Sequence, residues 1–146
     1  MKILPLSDEL LSQCLALTVS PDQKKHNKAP DHILSEAQEN QDTVRIFVLN
    51  ENAPQVIGMA SYFNNTHRGF GYWISQFFID HRYQNRGLGK EAFALLLAEI
   101  RLTANHRIIV SVDKENTPAI RLYQKFGFVW MPDEKYPNEQ IFVLQL

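Results

Sequence analysis

The stretch Tyr72–Asp80, YWISQFFID, constrains this chain more than any other. It is apolar at almost every position, which is the pattern of a strand covered on both faces. The glycine-bearing segment Gln84-Asn85-Arg86-Gly87-Leu88-Gly89-Lys90 follows at once. Apolar residues then recur at helical spacing through Ala92, Phe93, Leu96, Leu97 and Ile100, which predicts a helix over Leu88–Thr103. Arg107–Asp113, RIIVSVD, reads as the next strand. A buried strand, a short glycine loop, an amphipathic helix and a second strand require a sheet with helices packed on its faces.

The remaining segments extend that sheet. Lys2–Leu6 predicts a first strand. Ser7 is placed to cap a helix whose apolar residues include Leu10, Leu11, Cys14, Leu15 and Leu17. Ser20–Pro30 is polar, holds two prolines and predicts a loop or helix break; His32–Asn40 predicts a second short helix with Ile33, Leu34 and Ala37 inward. Thr43–Leu49 and Val56–Phe63 are β-branched and aromatic, and Asn50–Pro54 between them reads as the turn of a hairpin. Asn64–Gly71 is another polar connection. Thr117 and Pro118 read as the N-cap and first position of a helix that Gly127 closes. Phe128–Trp130 and Ile141–Leu146 predict the last two strands. The order is β-α-α-β-β-β-α-β-α-β-β, an α/β mixed fold expected as a single domain over residues 1–146.

Composition sets limits on function. Apolar residues make up 45% of the 146, including nine Phe and two Trp, enough for one core and too little for two. The formal charge of −1 comes from 15 basic and 16 acidic side chains, which argues against a nucleic-acid partner. Cys14 is the lone cysteine, with no Cys or His partner at metal-ligand spacing, and suits a reducing, cytoplasmic setting. The first residues hold Asp8 and Glu9 and no clean apolar stretch of a signal peptide. No apolar run approaches the ~18 residues of a membrane span, so no membrane partner is expected.

The chemistry concentrates in the glycine loop. Gly87 and Gly89 let the backbone approach a ligand, and a helix start offers free N–H groups and a positive dipole end to a phosphate. Arg86 and Lys90 add charge. The Gly-Lys-Ser/Thr of a P-loop is missing. A dinucleotide pattern begun at Gly87 would put Ala92 in its third glycine position; Asp113, which ends the next strand, keeps that reading open. Taken alone, Asn116 is a turn residue before a helix and Tyr123 a core aromatic.

Two motifs together say more. The strand followed by Gln84-x-x-Gly87-x-Gly89 and a helix resembles the pyrophosphate-binding motif of the Gcn5-related N-acetyltransferases, Gln/Arg-x-x-Gly-x-Gly/Ala. Asn116-Thr117-Pro118-Ala119-Ile120-Arg121-Leu122-Tyr123-Gln124-Lys125-Phe126-Gly127-Phe128 is similar to that family's Asn-x-x-Ala-x-x-x-Tyr-x-x-x-Gly-Phe run. Within the family, YWISQFFIDHRYQNRGLGKEAF and LYQKFGF look most like the spermine/spermidine (polyamine) acetyltransferases.

The resemblance implies an enzyme that uses acetyl-CoA, needs no metal and acetylates a small-molecule amine, with homodimers common among its relatives. It implies that the backbone of Phe77, Phe78 and Ile79 pairs with the pantetheine arm, with an N–H around Phe78 or Ile79 polarising the thioester carbonyl. Gln84, Asn85, Arg86, Gly87, Leu88, Gly89 and Lys90 would hold the pyrophosphate. Asn116 would hydrogen-bond the cofactor arm, Ala119 would leave room for it, and Tyr123 would protonate the departing thiolate as general acid.

One position departs from the pattern. The polyamine enzymes carry acids one or two residues before the Phe-Phe pair, where this chain has Ser75 and Gln76. Both are expected to line the acceptor channel, and strand alternation predicts that only one points into it. The expected base is therefore missing from this strand, where Ser75 could only organise a water. Bulk water, a backbone carbonyl or an acid elsewhere are the alternatives for deprotonation. Ser20–Asp42, expected to wall the acceptor site, is near-balanced in charge and does not favour spermine. Asp133, Glu134 and the acids of Asp31–Asp42 are candidate amine anchors, and His67 and Arg68 are placed to meet an acidic acceptor group. A Ser75–Asp80–His81 triad is excluded, because adjacent residues do not face one another and no nucleophile elbow is present. A peptide N-terminus, a protein lysine or an amino-acid-like amine as acceptor, and a weakly catalytic acetyl-CoA-binding module, stay open as rival readings.

Overall fold

The computed structural model describes residues 1–50, 52–65, 71–104, 106–133 and 135–146. His67, Arg68 and Glu134, named above as possible acceptor contacts, lie outside the described residues. Seven strands form one sheet: β1 (Lys2–Pro5), β2 (Thr43–Leu49), β3 (Gln55–Asn64), β4 (Tyr72–Ile79), β5 (Arg107–Asp113), β6 (Val129–Trp130) and β7 (Glu139–Gln145). They lie in the order β1-β2-β3-β4-β5-β7-β6. All neighbours are antiparallel except β4 and β5, whose parallel pairing requires the long crossover between them.

Four helices cover the sheet: α1 (Leu11–Leu15), α2 (Pro30–Asn40), α3 (Leu88–Arg101) and α4 (Thr117–Lys125). The first is a composite, a single 3-10 turn over Asp8–Leu10 followed by α1. Ser7 caps the turn with backbone only, its side chain making no capping bond. One face of the sheet packs Cys14, Leu17 and Ile33, on and beside α1 and α2, against Ile46, Val48, Val56, Met59 and Phe78. The other packs α3 and α4 through Ala92, Phe93, Leu96, Ile100 and Tyr123 against Phe47, Ile57, Ile74, Val110 and Phe142. Phe93 is fully buried at the centre of an aromatic cluster, with ring centroids 5.0 Å from Phe77, 5.3 Å from Tyr123 and 5.2 Å from Phe126.

Two irregularities shape the middle of the sheet. The register slips between Ser61 and Tyr62: Ser61 faces Gln76 and Tyr62 faces Ile74, leaving Ser75 as the extra residue of a β-bulge. Beside it, β4 and β5 pair only at Tyr72–Ile108, Trp73–Ile109 and Ile74–Val110. Both strands run on, β4 to Ile79 and β5 to Asp113, without a ladder between them. A bulge bends its strand and raises its twist. Its position at the last paired residue accounts for the opening of the sheet there.

Candidate active site

Asp80, directly after β4, is completely buried and fixes the end of that strand. Its carboxylate accepts from the Thr18 N–H at 2.9 Å, the Arg82 N–H at 2.9 Å and Arg82 Nε at 2.9 Å. Burial pushes its pKa up, but the bonds from Arg82 and Thr18 outweigh it and hold the group below the usual carboxylate range. The His81 N–H adds a bond to the Thr18 carbonyl at 2.7 Å. The end of β4 is thus fastened to the start of the α1–α2 connection. Sequence reasoning met Asp80 only as a rejected triad member; an acid directly after an apolar strand, in position to cap the next turn, is the signal that finds it.

The glycine loop follows. Asn85 and Gly87 both have left-handed backbone, φ 63° and 76°, and Gly87 is the N-cap of α3. A Cβ built on Gly87 meets nothing within 4 Å, so the backbone is open on that side. The N–H groups of Asn85, Arg86 and Gly87 find no acceptor among the described residues, and those of the first turn of α3 are unpaired by geometry. The Gln84 side-chain amide donates to the Ile79 carbonyl at 2.9 Å, which ties the loop to the strand end. Arg86 lies over the Tyr83 ring at 5.9 Å.

Across the opening stands α4. Its N-cap is Asn116, one residue earlier than the sequence pattern predicts, with Thr117 first and Pro118 second in the helix. A proline is tolerated at either position, because the N–H groups of the first turn have no intrahelical acceptor. Asn116 is buried yet makes no side-chain capping bond, and its Oδ1 has no partner among the described residues. Tyr123, 7% exposed, packs against Phe93 and Phe128. Its hydroxyl makes no hydrogen bond among the described residues, and burial pushes its pKa up to about 12.

These groups share one open cavity of about 1590 Å³. Among the expected site residues, Ser75, Gln76, Phe77, Phe78, Ile79, Gln84, Asn85, Gly89, Asn116, Ala119 and Tyr123 line it. Arg86, Gly87, Leu88 and Lys90 do not, and all but Leu88 are exposed. Ser75 and Gln76 both border the cavity, as do Phe77, Phe78 and Ile79 after them along the open edge of β4. Asp133 is elsewhere, accepting from the Lys135 N–H at 2.9 Å in an exposed turn.

The polarity of β4's backbone is also fixed. The Asp80 N–H donates to the Ile57 carbonyl at 2.7 Å, toward β3. Backbone groups alternate sides along a strand, so Phe78 also faces β3, and Phe77 and Ile79 turn their N–H and C=O toward the gap. The α1–α2 connection spans the gap on one face, where His26 Nδ1 lies 3.4 Å from Asp113 Oδ2 with the imidazole almost fully buried.

A family model described as the acetyltransferase (GNAT) family matches residues 11–128. The chain belongs to that family. It is 29% identical over 147 aligned residues, 97% of this chain and 95% of the relative, to the spermine/spermidine N(1)-acetyltransferase of Bacillus subtilis (strain 168). Its fold matches an acetyltransferase from Thermus thermophilus with a TM-score of 0.75 at 19% identity, covering 99% of this chain and 96% of that one. It also matches a chain of the NatC complex bound to Gag peptide and CoA with a TM-score of 0.70 at 19% identity, over 100% and 99%. The GNAT fold accounts for the mixed seven-stranded sheet, and the protein is an acetyltransferase. No described helix is long and apolar enough to cross a membrane, and no three described His, Cys, Asp or Glu side chains cluster as a metal site.

Proposed function

We propose that the protein acetylates a primary amine of a small molecule of the polyamine class, with acetyl-CoA as donor, as one cytoplasmic domain over residues 1–146. The observation that carries this reading is the Tyr123 hydroxyl, without a partner among the described residues, in the wall of the same cavity as the edge of β4 at Phe77 and Ile79 that no strand pairs. The residues present fit the donor. The free N–H groups of Asn85, Arg86 and Gly87 suit a pyrophosphate, the orphaned Oδ1 of Asn116 suits an amide N–H of the arm, and Ala119 is small where that arm would pass. Gln84 acts by shaping the loop through Ile79 rather than by reaching the phosphates.

Acetyl-CoA supplies the acetyl group as a thioester. The Ile79 N–H is the donor for the carbonyl oxygen as charge develops on it, which narrows the choice between Phe78 and Ile79. The neutral amine attacks the carbonyl carbon, the C–S bond breaks, and the Tyr123 hydroxyl gives its proton to the leaving sulfur. The phenolate takes the second proton from the new amide nitrogen and is restored. The proton lost from the ammonium before attack leaves to solvent, so the products are amide, thiol and one proton.

The B. subtilis relative supports the amine class. Thiol release with acetyl-CoA and a panel of spermidine, a monoamine, a peptide N-terminus and lysine tests the reading. The expected result is turnover with spermidine above the others. Turnover confined to the peptide or lysine would reassign the acceptor, and thiol release with none would leave only a binding module.

A further inference from the structure

Six carboxylates line the cavity, and three of them are taken by cations. Glu36 is taken by Lys28, whose Nζ donates to both oxygens at 2.8 Å, and by His32 at 3.1 Å. Asp113 faces His26 at 3.4 Å, and Glu115 faces Lys25 at 3.9 Å. Asp22, Asp42 and Glu139 have no cation among the described residues, and Asp22 and Glu139 are exposed to water. Asp42 alone of these is half-buried; burial pushes its pKa up, and the neighbouring Ser75 hydroxyl, on the bulge residue, favours its charged form. Asp42 and Ser75 both line this cavity.

The backbone that carries Asp42 is held in place. Gln41 ends α2 in left-handed conformation, φ 60°, and the Asp42 N–H donates to the Ala37 carbonyl at 2.8 Å. The negative end of the α2 dipole therefore sits beside the carboxylate, and Asn40 and Gln41 line the same wall. A carboxylate partly withdrawn from water, next to a helix C-terminus and without a counter-ion, favours a cation.

Ser75 precedes Ile79 by four residues, roughly 13 Å along an extended strand. That separation is too long for Asp42 to meet the amine under attack at the Ile79 N–H. It matches the span of an extended triamine. We propose that Asp42, beside the bulge hydroxyl of Ser75, binds the distal ammonium of the acceptor and selects amines that carry a second positive charge. This rests on the acetyltransferase reading above. It replaces the missing β4 acids with a carboxylate from the end of α2, brought over β3.

The test is kcat/KM for spermidine against butylamine in the parent, Asp42→Asn, Asp42→Glu and Ser75→Ala, with direct calorimetry of spermidine binding. Asp42→Asn is expected to lower the spermidine-to-butylamine ratio by about 10–30-fold, through KM, and to weaken spermidine binding to match. Asp42→Glu should keep most of the preference and Ser75→Ala should lose part of it. A parent that turns over spermidine, with the ratio unmoved in Asp42→Asn, overturns the assignment and leaves the function standing. A parent that transfers acetyl to neither amine removes both. Should Asp42→Asn fold poorly, Ser75→Ala and Asp42→Glu decide, and an unchanged ratio in both overturns the assignment.

Discussion

Tyr123 is a donor because of where it sits. Its phenol is buried against Phe93 and Phe128, and burial alone pushes its pKa up to about 12. The group therefore keeps its proton across the whole working range, and any alkaline limb of the rate below about pH 11 comes from another group. Tyr123→Phe is expected to keep acetyl-CoA affinity and lower kcat by about 10²–10⁴-fold, read by steady-state thiol release and calorimetry. Asp80 shows the opposite sign. Its folded pKa lies below the unfolded value, so its contribution is present above pH ~4 and lost as pH falls through the folded pKa. Asp80→Asn is expected to cost about 2–3 kcal/mol at neutral pH. The gap between parent and variant should close in acid, which denaturant melts at pH 7 and pH 3 would check.

At the scale of elements, Gly58 limits how the opening is built. A Cβ on Gly58 would lie 2.5 Å from the Phe78 carbonyl and 2.8 Å from Ile79 Cδ1, in the part of β3 that backs the free edge of β4. Gly58→Ala is expected to destabilise the fold by about 1–3 kcal/mol and to weaken acetyl-CoA binding, as β4 is pushed toward the gap. A variant with parental stability and affinity would show that β4 shifts freely. The elements themselves were largely legible. YWISQFFID, the Gly87–Gly89 loop and the NTPAIRLYQKFGF segment each have a period or punctuation that leaves one local structure. The bulge was not, because alternation presumes a regular pleat and serine fits either face. Asp42 was not, because its stretch is charge-balanced in sequence; only the α2 C-cap and the β3 crossing put it against Ser75. The cap of α4 was misplaced by one residue, since threonine and asparagine cap equally well and the Pro118 signal tolerates both.

Across the whole molecule, the two halves of the sheet are held together at β4 and β5 by three residue pairs. A ligand seated between the strands would join them where the ladder is missing. At a hundredfold excess over its dissociation constant, such a ligand adds about 2.7 kcal/mol to the folded state, a rise in melting temperature of roughly 5–10 °C for a chain of this size. Acetyl-CoA should produce that shift in a scanning experiment, and acetate should not. A melting temperature indifferent to acetyl-CoA would place its binding outside the gap.

The same gap gives the sheet a third edge. The outer two are blunt: β6 is two residues long, and β1 is four and ends in Pro5. The inner one, Ser75–Ile79, is a run of strand backbone left open on the side that borders the cavity, and a sheet edge of that length invites another chain to add itself. It is sheltered by recess rather than by charge or shortness, lying between the glycine loop and α4 with the α1–α2 connection across one face. The template that makes room for a ligand is thereby kept from becoming a seed for self-assembly.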